Sequence, residues 1–270
     1  MDDVKLLGFQ RAEFQRAETF DSISNLLQLI IVLIAVASVV IQHGPTVYTL
    51  SVLSLLFAIF WFYTSEQSKF SHGTAERARR AIVIKNGLGI QLGAKSYSDL
   101  LMSFKVDADK AKRWEDPDYF KSNSNYGNQK LAEILEESAF WSKCLLQKYA
   151  LRTWLVFSSV LILSIVSLLL IVFLEFTQIA KAMGQVTCLV LMWLITGNLF
   201  SSAINLTSSS KYVDSIEERL SNIVKSGGAG DDILVHMTDY NSVMEGVPVI
   251  PSKIYLRNKC RLNELWEERL

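Results

Sequence analysis

The 44 residues from Ser22 to Ser65 carry no charge, and that run restricts the possible folds more than any other feature of the chain. A hydrocarbon core about 30 Å thick takes roughly 20 helical residues to cross, so the run is too long for one crossing and long enough for two. It is interrupted once, at His43-Gly44-Pro45. Glycine ends a helix readily, and proline is tolerated in the first turn of the next. The sequence therefore predicts a helical hairpin, residues 22–65, with spans at about 22–42 and 46–63. Trp61, Phe62 and Tyr63 at its end fit an interfacial aromatic belt.

Two further uncharged stretches predict a second hairpin, residues 153–206. Thr153 to Leu174 lies between Arg152 and Glu175, and Met183 to Ser210 follows after Lys181. The spans expected from them are about 153–174 and 184–206. The remaining segments are an N-terminal helix (1–21), a charged, helix-prone insert (66–152) and a helical tail (207–270). The fold class expected is an all-α integral membrane protein: two transmembrane helical hairpins, with a helical cytoplasmic domain formed by the central insert and the C-terminal tail.

Residues 1–21 hold five acids and three bases, unlike the basic start of a secretory signal, and apolar sequence continues past the cleavage-like Ala35-Val36-Ala37, so no cleavage is expected. Phe9-Gln10-Arg11-Ala12-Glu13 repeats at once as Phe14-Gln15-Arg16-Ala17-Glu18. A five-residue shift turns a helix by about 140°, so the two copies face different neighbours. In the insert, Ile82, Leu88 and Leu92, and later Leu131, Ile134, Leu135, Ser138 and Trp141, recur at helical spacing. Gly87, Gly89 and Gly93 lack the strand and the Gly-Lys-Ser/Thr ending of a phosphate loop, and read instead as close packing or a bend. In the tail, Tyr212, Val213, Ile216, Leu220 and Ile223 form an apolar edge before Gly227-Gly228-Ala229-Gly230. A last helix, Ser252 to Glu268, offers Tyr255, Leu262, Leu265 and Trp266.

Bases set the orientation. Residues 1–21 carry three, Lys69 to Arg152 fifteen, the link before the fourth stretch one, and the chain from Lys211 onward eight; the link of the first hairpin has none. Both termini and the insert are therefore expected in the cytoplasm, with a multi-pass body in the membrane.

Chemistry is restricted by what is missing. Cys144, Cys188 and Cys260 are scattered, as are His43, His72 and His236, so no metal set and no cofactor are expected. No nucleophile, triad or paired-carboxylate constellation can be assembled, and an enzyme is not expected. The charges balance at 27 bases and 27 acids, which gives no global field for nonspecific nucleic-acid binding. No acid or base lies inside a span, where a proton- or ion-coupled transporter would need one.

What the spans do hold is neutral and polar. Asn198, Ser201, Ser202 and Asn205 share one helical face at i, i+3, i+4 and i+7, and Asn25 and Gln28 lie near the inner end of the first span. These six are the candidate lining of an aqueous path. Since four helices are too few for an obvious pore, the path calls for a homo-oligomer, for instance a tetramer. Hydrogen bonding between packed helices is the other role open to them. The insert carries two basic groups, Arg77, Arg79 and Arg80 with Lys85, and Lys112 and Arg113 followed by Trp114. Guanidinium forks and an indole suit a phosphate-rich ligand such as a nucleotide. Anionic lipid and surface ion pairs are the alternatives.

The order of two spans, a helical insert, two more spans and a helical tail resembles the SMODS-associated four-transmembrane pore-forming effectors, relatives of the SLATT membrane effectors of bacterial anti-phage defence. The resemblance rests on Glu137-Ser138-Ala139-Phe140-Trp141-Ser142-Lys143 through Tyr149-Ala150, and on Val247-Pro248-Val249-Ile250-Pro251-Ser252-Lys253-Ile254-Tyr255 with the charged helix that follows. It implies an oligomeric effector of the bacterial inner membrane, encoded beside a nucleotidyltransferase, that depolarises the membrane in abortive infection. A nucleotide or oligonucleotide from that partner would control it, by releasing the pore or by holding it shut. The alternative from a different class is a non-conducting four-span scaffold that recruits a cytoplasmic partner.

Overall fold

The computed structural model describes residues 3–41, 43–117, 119–173, 178–197, 199–228 and 232–269. Among them the structure is all-helical and has no strand. The helices are α1 (Asp3–Val40), α2 (Gly44–Leu88), α3 (Ala94–Ser103), α4 (Ala108–Lys112), α5 (Asn128–Phe173), α6 (Gln178–Thr196), α7 (Leu199–Lys225), α8 (Ile233–Gly246) and α9 (Ser252–Glu267). Four helical segments are long and apolar enough to cross a membrane: α1, α2, α5, and α6 with α7. In α1 and α5 the helix runs without a break from charged into uncharged sequence, and in α2 from uncharged into charged. Backbone hydrogen bonding continues wherever no residue interrupts it, so a change of polarity alone does not end a helix.

The chain divides into two compact units, Met1–Thr19 with Ser68–Tyr149 and Leu206–Leu270, and Phe20–Gln67 with Ala150–Asn205. The second, apolar unit packs in the reverse sense of a water-soluble protein. Leu26, Leu33, Leu55, Ile59, Leu163, Val172 and Ile195 are exposed, while the buried positions include Ser24, Thr64, Thr153, Ser164, Ala180, Thr187 and Ala203. Small side chains let helix backbones approach closely, and lipid gives large apolar side chains no reason to turn inward. The hydroxyls are satisfied locally. Ser159 and Ser164 donate to the Leu155 and Val160 carbonyls four residues back, and Ser167 meets Thr187 of α6 at 2.9 Å. Ser167 and Thr187 thus take up the helix-packing role.

The first unit is built around ordinary apolar cores. Leu6 and Leu7 of α1 pack with Ala78, Ala81 and Ile82 of α2 and with Leu100 of α3 and Phe104, and Phe9 stacks on Phe104 at 5.1 Å. A second cluster joins Phe140 and Leu145 of α5 to Ile254, Leu262 and Trp266 of α9. The expected apolar edges are buried at Leu131, Ile134 and Leu135 in α5 and at Val213, Ile216 and Leu220 in α7. Tyr212 of α7 and Leu265 of α9 differ: both are exposed.

The two copies of the N-terminal repeat do face different neighbours. Arg11 lies over the Tyr119 ring and pairs with Asp116, whereas Arg16 donates to Ser71 of α2 and pairs with Glu13. Glu13 accepts the Lys105 N–H, while Glu18 accepts the Ser252 N–H at the start of α9.

The three glycines of the insert have separate tasks. A Cβ on Gly87 would lie 2.8 Å from Leu131 Cδ1 and 2.9 Å from Leu131 Cα, so it marks a close approach of α2 to α5. Gly89, at φ +72°, turns the chain just after α2 ends. Gly93 precedes α3 and has nothing within 4 Å of a Cβ. Gly87→Ala should lower stability by about 1–3 kcal/mol through overpacking, and Gly93→Ala should change it by less than about 0.5 kcal/mol. Thermal unfolding of the purified protein in detergent checks this; equal midpoints would remove the close-packing role of Gly87.

Candidate functional site

A face of α2 meets α8 at a cleft of about 290 Å³ lined by Lys69, His72, Gly73, Glu76, Arg77, Arg80 and Glu245. The α2 residues form two neighbouring rows, 69, 73 and 77, and 72, 76 and 80, each at i, i+4, i+8. Gly73 has no side chain to fill the space between Lys69 and Arg77. Three Lys and Arg side chains, Lys69, Arg77 and Arg80, face two carboxylates here, so these groups give the cleft a small positive excess.

The arginines of the first basic group are used very differently, since successive residues on a helix point about 100° apart. Arg77 is exposed on the cleft. Arg80 pairs with Glu245 of α8 at 2.7 Å, and both side chains are more than a third exposed. Arg79 is enclosed. Its guanidinium pairs with buried Glu76 at 2.7 Å, donates to Tyr240 Oη at 3.3 Å and Asn241 Oδ1 at 3.4 Å, and lies over the Tyr240 ring. Burial works against the Arg79 charge, but Glu76 above all, with Tyr240, Tyr119 and Glu245, outweighs it and holds the group above its ordinary value. The Tyr240 hydroxyl, pushed up chiefly by burial, meets Ser142 Oγ at 2.7 Å and donates to the Ser138 carbonyl. Arg79 thus ties α2 to α8, and Tyr240 ties α8 to α5. Lys85 pairs with Asp3 of α1.

The second basic group sits elsewhere in the same unit. Lys112 and Arg113 are exposed at the end of α4, and Trp114 Nε1 donates to Gln15 Oε1 of α1 at 3.2 Å. Ala111 is buried against Gly8, where a Cβ would stand 2.5 Å from the Ala111 carbonyl oxygen. Of the expected ligand residues, the cleft brings together only Arg77 and Arg80. Lys69, His72 and Glu245 join them without having been expected. The i, i+4 rows of α2 announce the first two, while Glu245 comes from α8 and has no local signal.

Asn198 lies outside the described residues. Ser201, Ser202 and Asn205 stand on α7, with Ser201 exposed and the other two half-buried. The fourth apolar stretch is carried by α6 and α7, with Gly197 between them and its N–H bonded to the Trp193 carbonyl. Asn25 is exposed on α1 and donates to Asp21 Oδ2 at 3.0 Å, and Gln28 is half-buried. Among the described residues no three His, Cys, Asp or Glu side chains gather as a metal site.

Buried and exposed arginines should separate on substitution. Arg79→Ala leaves Glu76 buried without its cation and should cost about 3–5 kcal/mol, while Arg77→Ala should change stability by less than about 0.5 kcal/mol. Denaturation of both variants in detergent tests this, and equal losses would show that Arg77 is structural as well. Compared with protein-family models, curated proteins and solved structures, the chain matches none of them, so its own residues carry the functional inference.

Proposed function

We propose that this protein is a membrane pore subunit that assembles as a homo-oligomer and is controlled by an anionic nucleotide or oligonucleotide. The observation that carries this is the outward position of polar side chains on the apolar unit. Ser201 and Asn25 are exposed there among leucines and isoleucines that suit lipid. A polar group facing outward at membrane depth is costly in lipid, and is accommodated where subunits meet around water. Asn205, one turn from Ser201, extends the same face inward.

The two uncharged pairs of spans form two hairpins in this reading, and the charged unit with both termini lies in the cytoplasm of a bacterial inner membrane, as the distribution of bases favours. Control enters at the α2–α8 cleft, where Lys69, Arg77 and Arg80 offer charge-assisted bonds to phosphate oxygens. The resemblance to anti-phage effectors supplies the biological setting: a nucleotidyltransferase makes the signal, and the pore depolarises the infected cell.

Expression of the wild-type protein should collapse the membrane potential, read with a potential-sensitive dye. Ser201→Leu with Asn205→Leu should reduce that depolarisation by about tenfold or more while membrane delivery is unchanged. Undiminished depolarisation would remove this face from the lining, and absence of current from wild-type protein in planar bilayers under every nucleotide condition would favour the scaffold. Arg77→Ala with Arg80→Ala should weaken oligonucleotide binding by about tenfold or more in calorimetry at an unchanged thermal midpoint. Unaltered binding would move the ligand away from the cleft.

A further inference from the structure

The inner face of α9 is fully occupied: Ile254, Leu262 and Trp266 are buried against Phe140 and Leu145 of α5. Its outer face is exposed and has an unusual order. Lys253, Leu256, Arg257, Cys260, Glu264 and Glu267 are all exposed and fall within an arc of about 100°. On this face the bases, Lys253 and Arg257, precede Cys260, and the acids, Glu264 and Glu267, follow it. Lys253, Arg257 and Arg261 follow one another at i, i+4, and Glu264 is followed by Glu267 and Glu268 at i+3 and i+4.

That order works against the helix that carries it. Like charges at i, i+4 repel, and each pair destabilises an isolated helix by about 0.2–0.5 kcal/mol. The helix dipole favours acids at the start and bases at the end, yet α9 has no acid in its first turn and no base in its last. Among the described residues, Lys253, Arg257, Glu264 and Glu267 make no ion pair.

We propose that α9 is a self-association surface, pairing antiparallel with α9 of a second copy about a two-fold axis through Cys260. Lys253 and Glu267 stand seven residues to either side of Cys260, so the axis brings each Lys253 level with Glu267 of the other copy. Arg257 comes within one residue of the opposite Glu264. Leu256 and Cys260 from both copies form the apolar centre, and Leu256 is 63% exposed in the single chain. The basic N-terminal half of each helix then lies beside the acidic C-terminal half of the other, and the dipoles oppose one another favourably. A parallel pair would set like charge on like. The contact surface of a single 16-residue helix is small, but subunits confined to one membrane meet at high effective concentration. The pairing does not depend on conduction through the apolar unit.

The test uses full-length protein in isolated membranes, with Cys144→Ala and Cys188→Ala leaving Cys260 as the only thiol, and a short bismaleimide as cross-linker. A cross-linked dimer is expected, with a yield that falls as salt is raised. Glu264→Lys with Glu267→Lys, and separately Lys253→Glu with Arg257→Glu, should each reduce the yield by about tenfold or more, because attraction becomes repulsion along the whole contact. All four substitutions together restore complementarity and should restore the dimer. They also agree with the helix dipole, so loss of folding does not obscure that arm. Cross-linking that is absent from the parent, undiminished in both reversed pairs, or unrestored by the fourfold change would overturn the proposal. Depolarisation measured on the same membranes reports the pore separately.

Discussion

The fold depends first on the solvent that surrounds each part of the chain. In the apolar unit many large hydrocarbon side chains, Leu33, Ile59 and Leu163 among them, point outward while small and hydroxylated ones such as Ser164 and Ala203 are buried, an arrangement that suits surroundings as apolar as leucine. With no hydrophobic drive between its helices, that unit is held by close backbone approach and by contacts such as Ser167 with Thr187. The charged unit follows the opposite rule. Leu6, Leu7, Ile82, Leu100 and Phe104 are buried in a cluster that joins α1, α2 and α3, and Phe140, Leu145, Leu262 and Trp266 in one that joins α5 with α9.

Within the charged unit, buried carboxylates are paired both within and between helices. Glu13 accepts the Lys105 backbone N–H and pairs with Arg16, Glu76 pairs with Arg79, and Glu217 is held between Lys143 of α5 and Arg269. Burial disfavours the Lys143 charge, yet hydrogen bonds to Asp214 and Glu217 more than offset it and raise its pKa. Such pairs contribute less net stability than their Coulomb attraction suggests, because both ions lose water. The pairs of Glu217 with Lys143 and Arg269 do penalise any register of the helices in which one partner is left alone.

The residues that were legible in the sequence are those whose environment is set by local pattern. Uncharged length announces the four membrane-spanning candidates, and helical periodicity announces Leu131, Ile134 and Leu135, or Val213, Ile216 and Leu220. The missing phosphate-loop context correctly leaves Gly87 to close packing, although its partner, Leu131, could not be named. What depends on distant partners was hidden. Arg77, Arg79 and Arg80 look equivalent in a basic run, and only the arrival of Tyr240, Asn241 and Glu245 on α8 separates the enclosed arginine from the available ones. Gly197 likewise gives little local warning that the fourth apolar stretch is carried by two helices.

The separation of the arginines also decides how a ligand in the cleft can be felt. The Arg79–Glu76 pair is buried, and an entering anion could take Arg79 only by leaving buried Glu76 with His72, 3.6 Å away, as its remaining partner, at a cost of up to about 3–5 kcal/mol. The Arg80–Glu245 pair is exposed and contributes at most about 1 kcal/mol, less than a charge-assisted, two-pronged contact between a guanidinium and a phosphate. An anion bound as proposed would therefore take Arg80 and Arg77 and leave Arg79 in place. Glu245, freed from α2, sits at the C-terminal end of α8, where the helix dipole disfavours a carboxylate. On the proposed reading, ligand binding in the cleft would weaken the end of α8 while the Arg79–Tyr240 contact still holds its middle, so the response would begin as a local loosening between α2 and α8 rather than as separation of the two helices.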